Sequence, residues 1–239
     1  MTITIKFSDN IKHDYGSFEE ILKLDNYNDI VYIACYANYL YNLPKLPDSL
    51  KDLYCSYNNL SRLPELPVSL ILINCAYNKI ANLPELPNSL IQMYCSSNNL
   101  SNLPELPNSL ESLSCDGNNI SYLQTLPNSL EYLSCNNNNL SSLPELPNSL
   151  KSLHCGYNNL SSLSELPKSL DYISYKSSPI HTYIEQIFNN NINKYFEHKR
   201  NMERKFANKI ENWFLDCKYN PKYLYCRNRL MNEYNELYN

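Results

Sequence analysis

Nine cysteines, four histidines and a column of glutamates are the side chains in this 239-residue chain that could serve as nucleophiles, bases or metal ligands. Seven of the cysteines, Cys35, Cys55, Cys75, Cys95, Cys115, Cys135 and Cys155, stand twenty residues apart. A thiolate can attack an electrophile or hold a metal. Zinc, however, wants convergent ligands, commonly as Cys-x-x-Cys pairs. None of the seven has a partner close in sequence, and a linear column does not converge. Strands lying side by side at about 4.8 Å would bring their Cα atoms within disulfide range. In-register parallel strands aim their Cβ bonds the same way, which suits a disulfide poorly. The column therefore reads as reduced thiols packed as small hydrophobes. Metal binding and disulfide or redox chemistry are the lesser alternatives.

The other reactive types are no better placed. His13, His154, His181 and His198 stand beside no Ser or Cys in a hydrolase motif. Gly16, Gly117 and Gly156 are too dispersed for a phosphate-cradling loop. Cys217 and Cys226 with His181 and His198 fit no standard zinc spacing, so core cysteines and surface histidines are expected. Glu65, Glu85, Glu105, Glu145 and Glu165 share one repeat position, with Lys45 and Thr125 in the gaps. Stacked like charges repel unless solvated. A water-facing stripe is expected there, with a divalent cation between coils as the alternative. The expectation is a chain that is not an enzyme, with no catalytic residue, no cofactor and no metal.

What positions these side chains is a repeat. Asn38, Asn58, Asn78, Asn98, Asn118, Asn138 and Asn158 follow each cysteine by three, and Leu43 to Leu163 follow by eight. One unit reads L-x-x-L-x-C-x-x-N-x-L-x-x-L-P-x-L-P-x-S, filled in the second copy by Leu50, Leu53, Cys55, Asn58, Leu60, Leu63, Pro64, Leu66 and Pro67. Seven units run from Ile30 to Ser169. An eighth starts at Leu170 and fades, with Tyr175 in the Cys place and Ser178 in the Asn place.

Leu53 and Cys55 alternate with Asp52, Tyr54 and Ser56, the period of a short strand with one buried face. One unit cannot hide that face alone, whereas stacked units share a parallel sheet and one continuous core. The prolines of LPELP exclude a regular helix and push Leu63 and Leu66 toward extended conformations. The outer side is therefore expected to be extended or polyproline-like. A buried Asn both donates and accepts, so the asparagines should form a structural ladder between coils.

The pattern resembles the leucine-rich-repeat family, L-x-x-L-x-L-x-x-N/C-x-L, with Cys in the third Leu slot. The twenty-residue length and LPELP resemble the short class found in the bacterial effectors YopM and IpaH. Similar arrays occur in proteins of giant viruses of amoebae, and the Asn-, Tyr- and Lys-rich composition fits that source. The resemblance covers about 140 of 239 residues. It implies an α/β solenoid with its parallel sheet on the concave face. IpaH-type effectors also carry a long ubiquitin-ligase domain with Cys closely followed by Asp. Here the tail has about 60 residues and the order Asp216–Cys217, so that activity is not carried over.

Three regions are expected. Residues 1–29 form an N-terminal cap, with TITIKF as an edge strand and Ser17 with Glu20 as a capping box before Phe18, Ile21, Leu22 and Leu24. Residues 30–178 are the repeats. Residues 179–239 are a helical cap or extension. There Ile180, Tyr183, Ile184, Ile187 and Phe188 make one helical face and Phe206, Ile210, Trp213, Phe214 and Cys217 another. A charged stretch lies between them, and a third short helix is expected from about Lys222 to Leu237. This tail carries ten Lys and Arg against seven Asp and Glu, +3, which leaves −7 for the rest.

A net charge of −4 gives no pull toward nucleic acid or membrane. No run approaches about 18 apolar residues. The start, MTITIKFSDN, lacks the basic and apolar regions of a secretory signal, so a cytoplasmic, reducing compartment is expected, with a host cell's cytoplasm as one such compartment. The columns that vary while the frame stays fixed are the outward strand positions. Tyr54, Asn74, Tyr94, Ser114, Ser134 and His154 form one, and Tyr132 and Asp116 sit in the columns beside it. Tyr57, Tyr77 and Tyr157 lie just past the strand. Tyr beside Ser and Asn is the composition of adaptable binding surfaces. The expected function is a monomeric protein–protein interaction module gripping a protein partner on this concave face. The alternative is a substrate-selecting adapter for ubiquitin transfer whose tail recruits a ligase.

Overall fold

The structure is a computed structural model and describes residues 2–188 and 191–217. The chain divides into two units, Met1–Thr182 and Tyr183–Asn239. The first is built on a ten-stranded sheet. Its strands are β1 (Ile3–Lys6), β2 (Lys12–Tyr15), β3 (Tyr32–Ala34), β4 (Asp52–Tyr54), β5 (Leu72–Asn74), β6 (Gln92–Tyr94), β7 (Ser112–Ser114), β8 (Tyr132–Ser134), β9 (Ser152–His154) and β10 (Tyr172–Ser174). From β3 to β10 all pairing is parallel and each residue faces the one twenty positions on, as Leu53 faces Ile73.

Each repeat strand is only three residues long, with its middle residue turned into the core. Leu53, Met93, Leu113, Leu133 and Leu153 are fully buried, as are Cys55 and the other six repeat cysteines just past the strands. Leu50, Leu60 and their equivalents close the same core from either side. No LPELP segment is helix or strand, as its prolines require. Each coil re-enters the sheet through a tight turn, Leu50 N–H donating to Pro47 O at 3.2 Å, and the others repeat it.

Two side-chain ladders fix one coil on the next. Asn58 Oδ1 accepts from the N–H groups of Asn38 (3.1 Å) and Leu40 (2.9 Å), and its Nδ2 donates to the carbonyls of Cys35 (2.9 Å) and Cys55 (3.0 Å). Asn78, Asn98, Asn118, Asn138 and Asn158 repeat the bond from the Leu or Ile N–H and the two bonds to Cys carbonyls. The asparagines satisfy carbonyls that the sheet leaves unpaired, as buried backbone demands. On the other flank Ser69, Ser89, Ser109, Ser129, Ser149 and Ser169 donate to the carbonyls of Leu50, Leu70, Leu90, Leu110, Leu130 and Leu150, at 2.6 to 2.8 Å.

The N-terminal end differs from expectation. TITIKF does not form the edge of the sheet. β1 lies between β3 and β2, antiparallel to both, and KHDY of β2 is the outer strand. Lys12 and Asp14 supply the charge that keeps an exposed edge from recruiting another chain. Asn38, first in the ladder column, bonds Thr2 both ways, Nδ2 to O at 2.7 Å and N–H to Oδ1 at 3.0 Å. The short helix α1 (Phe18–Ile21) has the expected cap: Ser17 Oγ accepts from Glu20 N–H, and the Glu20 carboxylate reaches back to Gly16 N–H. It makes one turn only, so Leu22 is exposed while Phe18 and Ile21 are buried.

At the other end Ser178, standing in the Asn place, is buried and donates to Tyr175 O at 2.7 Å. Helix α2 (Pro179–Phe188) crosses the division between the units, with Ile180 and Ile184 buried and Tyr183 and Ile187 exposed. Helix α3 (Ile192–Cys217) runs without a break through the charged stretch expected to separate two helical faces. Tyr195 and Phe196 are buried there, ring against ring at 5.0 Å. The third helix and Cys226 lie outside the described residues.

Candidate functional site

The cysteine column is packing. All seven repeat thiols are free and buried. Burial pushes Cys35, Cys75 and Cys155 up to about 12 and raises Cys55, Cys95, Cys115 and Cys135 as well, so the thiolate needed for attack or metal binding is suppressed. Among the described residues no group of three or more His, Cys, Asp and Glu converges. Glu65, Glu85, Glu105, Glu145 and Glu165 are exposed on the outer side.

Hydroxyl and imidazole do meet once. Ser152 Oγ lies 3.2 Å from His154 Nε2, two residues apart on β9. Ser152 N–H donates to Glu131 O at 3.1 Å, and β9 is paired on both sides, so these strand amides are engaged rather than aimed at a developing oxyanion. The pair shapes a surface.

The surface is the open face of the sheet. Tyr54, Asn74, Tyr94, Ser114 and His154 are half-buried in one column, as is Tyr132 in the column beside it. Aromatic groups gather at its two ends. Toward the N-terminus the rings of Tyr32 and Tyr54 are 5.5 Å apart, with Lys6 Nζ 4.6 Å from the Tyr32 centroid. Toward the C-terminus His154 lies between Tyr132 (5.5 Å) and Tyr172 (4.9 Å). Between them is a polar field around Asp116. Its carboxylate accepts from Ser134 Oγ at 2.7 Å and from Asn136 N–H at 2.6 Å. Ser96 Oγ accepts from Asp116 N–H (3.1 Å) and lies 2.8 Å from Ser114 Oγ, and Asn136 Oδ1 accepts from Gly156 N–H (2.8 Å). Each of these side chains caps the same amide on the next coil, forming a third ladder.

Ser134 stands apart from the rest of its column. It is 2 % exposed, and its hydroxyl is spent holding Asp116, so it supports the surface from beneath. Tyr57, Tyr77 and Tyr157 are exposed on the rim, Tyr57 and Tyr77 stacked at 4.3 Å and 7°. Their repeat position has left-handed backbone in every coil: Ala37, Tyr57, Tyr77, Ser97, Gly117, Asn137, Tyr157 and Ser177 lie at φ +53° to +62°. A side chain there costs about 1–2 kcal/mol. Only Gly117 and Asn137 are residue types that favour the conformation. Asn58, Asn78, Asn98, Asn118, Asn138 and Asn158 are buried beneath the rim and spent on backbone, whereas Asn38 at the end of the column is half-buried and bonds Thr2.

Asp52 sits one strand over from Tyr32 and is half-buried. Burial pushes its carboxyl above the usual range, offset in part by Lys6 and then Lys51. Burial, then Tyr54, Tyr36 and Asp52, raise the Tyr32 phenol.

No protein-family model matches the sequence, and no curated protein does. Solved structures do. The chain is similar to a Shigella effector LRR domain, at 32 % identity and TM-score 0.58, over 67 % of this chain and 73 % of that one. It is similar to YopM from Yersinia enterocolitica at 35 % identity and TM-score 0.53, over 58 % of this chain and 36 % of that one. YopM from Yersinia pestis gives 32 % identity and TM-score 0.53, over 62 % and 49 %. The chain thus spans less than half the length of either YopM. Among the described residues no helix is long and apolar enough to cross a membrane.

Proposed function

We infer, for a chain that belongs to the leucine-rich-repeat family in its short, twenty-residue class, a module that binds a protein partner on the open face of the sheet. The observation that carries this reading is the division of labour in each coil. Leu, Cys and Asn at fixed places are consumed by core and ladders, whereas the outward strand residues differ from coil to coil and hold half-buried rings. Rings already packed against neighbours lose little rotamer freedom when covered, which is what makes Tyr effective at interface centres. Tyr54, Tyr94, Tyr132 and His154 are the proposed anchors, with Asn74, Ser114 and Asp116 supplying hydrogen bonds and Tyr57, Tyr77 and Tyr157 the rim.

Tyr54→Glu, Tyr94→Glu and His154→Glu should each abolish partner capture while leaving the melting temperature within a degree or two. A photoreactive residue at 94 should cross-link the partner, and one at Glu105 on the outer side should not. Capture unchanged by all three substitutions would overturn the assignment of this face. Nothing in the described residues favours a tail that recruits a ligase.

A further inference from the structure

Lys6 and Asp52 flank the same residue: β1 places Lys6 opposite Tyr32, and β4 places Asp52 on its other side. The Lys6 ammonium lies 4.6 Å from the Tyr32 ring centroid and is tethered by one hydrogen bond, to Asn10 Oδ1 at 3.0 Å. The Tyr54 ring adjoins, tilted 43° to that of Tyr32. Asp52 is half-buried, yet within the described residues its carboxylate accepts no hydrogen bond and forms no ion pair, the only two salt bridges there being Lys45–Asp48 and Lys151–Glu131. Its cationic neighbours, Lys6 and Lys51, both lie beyond salt-bridge reach. Directly across from Lys6 on β2 is Lys12, a like charge that disfavours its present position.

We propose that this end of the sheet face is a seat for an arginine side chain of the bound protein, lying over Tyr32 and Tyr54 and forked onto Asp52, with Lys6 as its resident placeholder. The proposal rests on the reading of this face as a protein-binding surface. The resident ammonium shows that the site favours a cation over its rings. A compact ammonium meets only one of the two demands, since it covers Tyr32 and leaves Asp52 unpaired. A guanidinium is planar, stacks on an aromatic face and still presents a fork of donors to a carboxylate in the same plane. It is also more weakly hydrated, so it gives up less on entering a half-buried place. Displaced, Lys6 loses one ring contact and one hydrogen bond, and moves away into solvent.

The test uses the full chain and two small probes, N-acetyl-arginine methylamide and N-acetyl-lysine methylamide, titrated while the Tyr ring and Asp52 carboxyl resonances are followed by NMR. The expected result is saturable shifts confined to Tyr32, Tyr54 and Asp52, with the arginine probe about three-fold or more tighter than the lysine probe. Asp52→Asn should weaken the arginine probe about ten-fold. Lys6→Met should tighten it about three-fold by emptying the seat. Melting temperatures of both variants report whether the sheet is intact, and Tyr32→Leu gives a second route to the same loss. Arginine shifts spread over the whole face, or unaffected by Asp52→Asn in a folded protein, would overturn the seat. An unchanged affinity in Lys6→Met would overturn the placeholder role. Because the probe is a single residue, such failures leave the wider protein-binding reading standing, which is decided at Tyr94 and His154.

Discussion

Raising the pH from 7 to 9.5 should destabilise this protein steeply through its buried thiols. The seven repeat thiols are buried, and burial raises each above its ordinary value near 9, Cys35, Cys75 and Cys155 to about 12. The sign follows from which state can lose protons. Below the unfolded pKa both states hold the thiol neutral and the column contributes nothing. Between the unfolded and folded pKa only the unfolded chain ionises, so stability falls. At pH 9.5 each thiol gives the unfolded state about 0.8 kcal/mol, and the seven together about 6 kcal/mol. Domains of ordinary stability hold only about 5–15 kcal/mol. The slope should steepen toward about 1.4 kcal/mol per thiol per pH unit above the unfolded pKa. Urea unfolding with a reductant present, from pH 7 to 9.5, measures this directly. A version with Cys75, Cys95 and Cys115 replaced by Ala should start less stable but lose stability less steeply with pH. Stability flat to within about 1 kcal/mol across that range would refute the buried column. So would thiolate absorbance appearing near pH 9 in the folded protein once Cys217 and Cys226 are replaced by Ala.

Asn98→Ala should cost about 3–4 kcal/mol in urea unfolding, because it strands the buried Ile80 N–H and withdraws donors from Cys75 O and Cys95 O. Asn38→Ala, at the more open end of the ladder, should cost about 1 kcal/mol, and equal losses at the two sites would contradict the ladder account. Ser97→Gly should raise stability by about 1 kcal/mol by relieving φ +55°, measured as an increased denaturation midpoint with unchanged slope. Asp116→Ala should lower the melting temperature by several degrees, since Ser134 Oγ and Asn136 N–H both lose their acceptor.

What the sequence made legible is what each coil repeats. Cys at Leu53+2 and Asn at Cys+3 recur with one period, and a side chain that recurs identically must meet identical surroundings, so both could be placed before any coordinates. What it hid depends on atoms supplied by a neighbouring coil or strand. The left-handed position carries Ala, Tyr, Ser, Gly or Asn, because the amide it aims at the next coil, as Tyr57 N–H to Ala76 O at 2.9 Å, decides the backbone whatever the side chain. Ser134 was placed on the open face by period alone, and only Asp116 eighteen residues earlier explains its burial. KHDY carries no apolar alternation, since β2 is covered on one side only and its residues run exposed, intermediate, exposed, intermediate. The helix through residues 192–217 was hidden by its charge, which marks a solvated helix as readily as a loop.

The ladder bonds have a reach that bears on how such a chain changes length. Asn58 to Cys35 spans 23 residues, Leu60 to Asn78 spans 18, and Ser69 to Leu50 spans 19. No rung skips a coil. A twenty-residue stretch of coding sequence, copied or excised in phase between Cys35 and Cys155, therefore leaves every surviving rung with an equivalent partner. The extent of the protein's footprint on whatever it holds is thereby adjustable one strand's width at a time, about 4.8 Å per duplication, with the two differing ends carried along unchanged.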